Sequence, residues 1–309
     1  MLTLIPKTNI DFIGKRYLFF ILSGALLLAG TASLILKKGP KLGLDFTGGN
    51  LVEVKFQKSP PLADVRKSLD ESGILSAEIQ NVPDQGIFII RTPLLENKTE
   101  NSNADKQIGV KILDSLKKSF PDQNPEILRK EFVGPTVGKH LFKQTSLAFL
   151  LTFVGIIVYV AFRFHSGIWG AAGVIALVHD VTATIGIFSI LNKEITVTIV
   201  AALLTIAGYS INDTIVIFDF MRERLKLRKM EPLSEMINQS INATLPRTVI
   251  TNLTVFMVVL TLYFFGGEVI HDFAFAMVFG AIVGTYSTIA IASPLIYEWN
   301  KIKSPQKKT

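Results

Sequence analysis

The chain of 309 residues contains no cysteine. That excludes a disulfide framework, a c-type haem attachment and any thiolate metal site. Acidic residues are the minority, 25 against 32 Lys and Arg, which leaves a net charge of +7. The excess is not gathered into one basic patch, so it argues against nucleic acid as a partner. Charge is scarcest inside the long apolar runs. Nearly half of the chain is hydrophobic (49%) and its mean hydropathy is +0.41, which excludes one ordinary soluble domain.

What is present is a set of runs long enough to cross a bilayer, which takes about 20 apolar residues. They cover residues 17–36, 145–162, 168–191, 195–218, 244–265 and 273–297. Thirteen Lys and Arg fall in the segments that share a side with the N-terminus: Lys7, Lys15, Arg16, Arg163, Arg222, Arg224, Lys226, Arg228, Lys229, Lys301, Lys303, Lys307 and Lys308. The two short loops on the other side hold only Lys193. The positive-inside bias therefore predicts both termini in the cytoplasm. Residues 1–16 form the cytoplasmic N-terminus and 299–309 a basic cytoplasmic tail. The first run is longer than a signal-peptide core and is followed by lysines, so it is expected to stay as an anchor (helix 1, 17–36) although Gly30-Thr31-Ala32 offers small residues.

Residues 37–143 are polar and, on this topology, exoplasmic; helices 2–6 follow within 144–298. Residues 51–57 alternate as a strand, and 62–72 carry Leu62, Val65 and Leu69 at helical spacing. Strands are predicted at 77–82, 86–92 and 126–133, and a helix at 104–119 with Ile108, Ile112, Leu113 and Leu116 on one stripe. The order βαββαβ is that of a ferredoxin-like α+β domain. Residues 97–103 read as a polar loop. The fold class is thus a membrane all-α bundle of six helices, with one such domain between helices 1 and 2.

Ionisable residues inside the runs are costly and so point to function or pairing. Asp213 lies about six residues, roughly 9 Å, to the cytoplasmic side of the centre of the fourth run. Arg247 lies about eight residues, roughly 12 Å, on the same side of the centre of the fifth. The depths match, which predicts a salt bridge that is either structural or holds a titrating Asp213. Tyr209 and Ser210 precede Asp213 by a turn, Thr251 follows Arg247 by a turn, and Asn212 and Asn252 add polarity. Such groups can relay protons. His179-Asp180 falls near the middle of the third run; adjacent residues point about 100° apart, which predicts that only one of them faces a given narrow site. Asp219, beside Arg222, reads as an ordinary helix-end charge. Gly280-x-x-x-Gly284 predicts close helix packing. No H-E-x-x-H, Gly-x-Gly-Asp or G-x-S-x-G string occurs in the runs, so no catalytic, metal or cofactor site is expected.

Several strings together resemble the SecF family of bacterial protein-export membrane proteins, in the resistance-nodulation-division superfamily. Gly43-Leu44-Asp45-Phe46-Thr47-Gly48-Gly49 is similar to its GLDFxGG signature, and Phe132-Val133-Gly134-Pro135-Thr136-Val137-Gly138 to its FVGPxVG. Ala176-Leu177-Val178-His179-Asp180 resembles its A-H-D stretch, and Gly208–Asp213 with Arg247–Thr251 complete the set. Phe220 stands where the family usually has Arg, which puts a charge cluster at that helix end in question. The resemblance covers residues 10–298. It implies a non-enzymatic subunit that works with a SecD-like partner as a twelve-helix unit beside the SecYEG channel and the SecA motor, with YajC a further partner. It implies that the unit uses the proton gradient, with protons as coupling ion and no cofactor, to promote late steps of preprotein export across the cytoplasmic membrane. It also implies that Asp213 and Arg247 belong to a proton path, to which the reading of the residues adds Thr251 and, as a secondary relay, His179, Asp180, Tyr209, Ser210 and Asn212. Asp45, Gly48, Gly49, Gly134, Pro135 and Gly138 are then family signature residues. A solute or lipid exporter of the same superfamily is the rival reading, although such pumps usually carry twelve spans and two large exoplasmic domains in one chain.

Overall fold

The computed structural model describes residues 6, 8–75, 77–82, 86–93, 103–164, 167–227 and 231–303. The chain divides into two compact units, Met1–Lys41 with Leu147–Thr309, and Leu42–Ser146.

The first unit is helical. Among the described residues six helices are long and apolar enough to cross a membrane. They are α1 (Arg16–Leu36), α5 (Pro135–Phe164), α6 (Gly167–Ile190), α7 (Val197–Leu227), α8 (Leu233–Phe265) and a composite last span. That span runs from α9 (Glu268–Ser287) through a π-helical turn (Thr288–Ala292) into α10 (Ser293–Lys303). Several helices outrun the apolar stretches that announce them. α7 continues through Arg222, Arg224 and Lys226, and α8 begins eleven residues before position 244. Charged and long polar side chains are good helix formers, so leaving the apolar run does not end the helix.

Burial sorts the spans. In α6, α7 and the last span 61%, 56% and 61% of the apolar window is buried, against 11%, 6% and 17% in α1, α5 and α8. The first three are central and the others line the outside. At the end of the unit where α5 meets α6, Phe218 packs edge-on against Trp169 (centroids 5.2 Å) and Phe164 (5.5 Å). Gly30 and Gly186 bring α1 and α6 so close that a Cβ on either would lie under 3 Å from the other's Cα. The segment before α1 is held on α8 by two asparagines one turn apart. Asn242 exchanges two hydrogen bonds with the backbone of Ile10, at 2.9 and 2.8 Å. Asn238 accepts from Phe12 N and Ile13 N, both at 2.9 Å, and donates to Asp11 Oδ1 at 2.7 Å.

The second unit holds a short helix α2 (Leu44–Thr47), then β1 (Gly49–Lys55), α3 (Leu62–Glu71), β2 (Glu78–Val82), β3 (Ile87–Thr92), α4 (Asn103–Ser119) and β4 (Glu126–Val133). The sheet order is β2-β3-β1-β4 with every neighbouring pair antiparallel. This is the split βαβ arrangement that the sequence predicts. Alternate residues Val52, Val54, Phe88 and Ile90 meet Val65 and Leu69 of α3 and Ile112 and Leu116 of α4 in one core. Leu62, expected on the same helical stripe, is 39% exposed, because α3 starts there and its first turn overhangs the core. β1 starts two residues earlier than the alternation suggested, and α2 was not foreseen. The loop predicted at 97–103 lies, up to residue 102, outside the described residues.

Candidate functional site

Among the described residues of the helical unit two carboxylates are buried, each tied to different neighbours. Asp180, 0% exposed on α6, gathers donors from two other helices. Ser210 Oγ of α7 donates to its Oδ2 at 2.5 Å and Ser287 Oγ of the last span to the same atom at 2.8 Å. His179 Nδ1 and Asp180 Oδ1 share a hydrogen bond of 3.0 Å. The expectation that only one of these adjacent residues faces a given narrow site is therefore corrected: both side chains join one hydrogen-bonded cluster. Gly284 makes the cluster possible, since a Cβ there would lie 3.1 Å from Ser210 Cβ and 3.7 Å from Asp180 Oδ2. The other glycine of the pair, Gly280, receives Ile206 of α7. His179 Nε2 is buried with no hydrogen-bond partner among the described residues.

Asp213, 5% exposed on α7, accepts from Asn252 Nδ2 of α8 at 2.5 Å. The same amide nitrogen also donates to Thr248 O at 2.9 Å. Arg247 acts on Asp213 through its charge. Among the described residues, however, no ion pair within 4.0 Å joins the two, and the predicted salt bridge is corrected accordingly. The reason is rotation, not depth. Arg247 and Asn252 are five residues apart, ~140° around the helix, so when Asn252 faces Asp213 the arginine cannot.

α8 in fact divides its polar residues between two faces. Thr248 and Asn252 point inward and are buried; Arg247 and Thr251 point outward and are exposed. Tyr209 OH donates to Thr251 O at 3.2 Å, and Thr251 Oγ1 donates to Arg247 O at 2.8 Å. Asn212 is exposed on α7. Of the expected residues, Ser210 thus joins Asp180 one turn from Asp213, while Tyr209, Asn212, Arg247 and Thr251 belong to the outer face. Ser287, Thr214 and Thr288 were missed; the last two pair at 3.1 Å between α7 and the π turn. The polar run Thr285–Thr288 in an otherwise apolar span was the available signal.

At the end of α7, Asp219 forms an ion pair with Arg163 and lies 3.9 Å from Arg222, while Arg224 stands 5.8 Å over the Phe220 ring. A charge cluster therefore forms here with phenylalanine at 220. Among the described residues no three His, Asp or Glu side chains come together as cation ligands would.

In the second unit the two glycine-rich strings form one joint. Gly49 has φ +131°, and a Cβ on it would lie 2.5 Å from Thr92 O, so only glycine fits. A Cβ on Gly138 would lie 3.1 Å from Phe46 O and 3.3 Å from Gly48 N. Phe46 packs edge-on against Phe142 at 5.9 Å. Asp45 lies in the single turn of α2, and Pro135 starts α5 after Gly134, at the position where a missing N–H costs nothing.

Comparison with known proteins adds relatives to this geometry. Residues 112–302 match the family model for the protein export membrane protein SecD/SecF, C-terminal, and residues 33–60 match the SecD/SecF GG motif. The chain is similar to the protein translocase subunit SecF of Endomicrobium trichonymphae, 46% identical over 97% of this chain and 94% of that one. The SecF subunit of Calditerrivibrio nitroreducens is 43% identical over 97% and 96%. The crystal structure of SecDF, a translocon-associated membrane protein from Thermus thermophilus, matches with a TM-score of 0.82 and 35% identity over 97% of this chain. The present chain spans 40% of that longer one.

Proposed function

The chain belongs to the SecD/SecF family of protein-export membrane proteins, and on that footing we propose that it is the SecF-type accessory subunit of a preprotein translocase. It catalyses no bond-making step; its part is to couple proton movement to late stages of export. Its neighbours in this reading are a SecD-like subunit, the SecYEG channel, the SecA motor and YajC. It sits in the bacterial inner membrane with both termini cytoplasmic and residues 37–143 periplasmic.

The observation that carries the reading is the outer face of α7 and α8. Arg247, Thr251 and Asn212 are exposed on spans, where a lone charge is costly. Such a face calls for a polar partner surface, and a second six-span subunit supplies one. Behind it, Asp213 is the group that gains and loses the proton. Asn252 positions it, Arg247 biases it by charge, and Ser210 connects its helix to the Asp180–His179 pair.

The test is reconstitution with the partner subunit and channel in vesicles, with preprotein release measured with and without an imposed proton gradient. Gradient-dependent release that needs this chain is the expected result. Equal release without the chain, or co-purification with a periplasmic adaptor in place of a SecD-like subunit, would turn the assignment toward a solute exporter.

A further inference from the structure

Along α8, Ser240, Thr244, Thr251 and Thr261 each turn the hydroxyl back onto the carbonyl four residues earlier, at 2.7, 2.9, 2.8 and 2.8 Å. Thr248 does not. It is 1% exposed, and its Oγ1 is buried with no hydrogen-bond partner among the described residues. A helical threonine has a χ1 well that makes the backbone bond, and a buried hydroxyl without one is costly. Thr248 has forgone the bond its own helix offers, which calls for another partner.

Asn252, one turn on and 7% exposed, presents the matching case. Its Nδ2 donates to Asp213 Oδ2 and to Thr248 O. Both are oxygens, so turning the amide over would set oxygen against oxygen. Oδ1 is thereby fixed, and it too is buried with no partner among the described residues. A donor and an acceptor thus stand four residues apart on one helix face, with roughly 5–6 Å between the Cβ atoms. Two hydrogen bonds end to end span about that distance. Room reaches the site, since Asn252 borders a cavity of about 470 Å³ between α8 and the last span.

We propose that one water molecule bridges Thr248 Oγ1 and Asn252 Oδ1, and that Thr248 thereby positions Asn252 against Asp213. A water accepts from the hydroxyl and donates to the amide oxygen, whereas a bare cation cannot accept the hydroxyl proton. With Oδ1 held, Nδ2 stays on the carboxylate; with it released, the amide is free to turn. The site stands on geometry alone, while its part in transport rests on the proton coupling proposed above.

The full-length chain is crystallised from a lipidic mesophase, at a resolution that shows ordered water, as wild type, Thr248→Ser and Thr248→Val. Density within hydrogen-bond reach of both atoms is expected in the wild type and in Thr248→Ser, which keeps the hydroxyl. It is expected to vanish in Thr248→Val, which keeps the shape without it. Thr248→Val should also melt lower than wild type, because Asn252 Oδ1 loses its partner. Were the hydroxyl a mere orphan, valine would relieve it and melting would rise. In vesicles with an imposed proton gradient, Thr248→Val should release preprotein about fivefold more slowly, the effect of one lost hydrogen bond. Thr248→Ser should keep the wild-type rate. If Thr248→Val fails to fold, Thr248→Ala carries the density and release comparisons. Empty density between the two atoms in the wild type overturns the water, as does a peak ringed by oxygens at cation distances. Unchanged or raised melting of folded Thr248→Val overturns it as well. Full release by Thr248→Val overturns the positioning role. A wild type whose release ignores the gradient would instead overturn the coupling reading, and the density then decides the site alone.

Discussion

Asn252 holds Asp213 through one hydrogen bond of 2.5 Å, on the face of α8 opposite to Arg247. The carboxylate is thus placed by a neutral amide, and the arginine remains available to the outside of the unit. Removing either charge leaves no stranded partner from a close ion pair, so the two substitutions separate stability from transport.

Asp213→Asn is expected to accumulate at wild-type level without any compensating change at Arg247. Asparagine keeps the shape and an acceptor for Asn252 but cannot titrate. Preprotein release driven by a proton gradient should fall to the gradient-free level. Arg247→Gln should likewise leave expression intact while lowering gradient-driven release. Undiminished gradient dependence in Asp213→Asn would remove this residue from the proposed proton path.

Ser287→Ala is expected to destabilise the protein by about 2 kcal/mol, because the lost bond went to a carboxylate. Asp180→Ala should cost more, about 3 kcal/mol or above, since it opens a cavity and unties α7 and the last span together. Thermal unfolding in detergent decides this; unchanged melting of both variants would show that the cluster ties nothing.

Gly49→Ala is expected to unfold the sheet domain or weaken it by ~2 kcal/mol or more, since the added carbon meets Thr92 O at 2.5 Å in a left-handed backbone conformation. Limited proteolysis between residues 42 and 146 reads the outcome. Gly134→Ala, where the space around a Cβ is open, serves as the comparison and should stay resistant.

The Asn238 clasp should be sensitive to acid. Gly14 N–H and the Asn238 amide donate to Asp11 and hold its carboxyl below the usual value. A depressed folded-state pKa means that the stabilisation is complete above the unfolded value, about 3.9, and is lost as pH falls through the folded value. The protection of the Phe12 and Ile13 amides, taken as exchange relative to the intrinsic rate at each pH, is therefore expected to be high at neutral pH and to fall below about pH 4. Asn238→Ala should release Phe12 and Ile13 at every pH. Slow exchange in that variant would mean that the clasp is held by something else.

Much of this architecture was legible in the residue order. Six apolar runs and a βαββαβ alternation are periodic signals spread over many residues, and small errors at the ends do not erase them. The polar residues inside the spans could be picked out from the sequence, but not their pairing. Depth along a helix can be read from the centre of an apolar run to about a turn, and Asp213 and Arg247 matched by that measure. Which face a residue takes depends on packing partners that lie outside its own helix, and there Asn252 replaced Arg247. Ser287 went unnoticed for a related reason: it meets Asp180 only after three helices have been brought together. The Asn238 and Asn242 clasp spans more than 220 positions of chain and leaves no local mark.

The π turn at Thr288–Ala292, buried throughout, works as a phase shifter. A turn of this kind accommodates one residue beyond the regular count, so positions after it are displaced by one relative to those before it. Read as a plain helix, the last span would aim Ile296 some 100° away from the direction it takes, yet Ile296 is 1% exposed in the same core as Ile289. The span is thus two helical screws of different thread start, joined so that both bury their apolar sides. One consequence concerns length. Deleting a single residue such as Ala290 can convert the joint into an ordinary turn with both sides still aligned, whereas the same deletion within α9 or α10 would turn one half away from its neighbours.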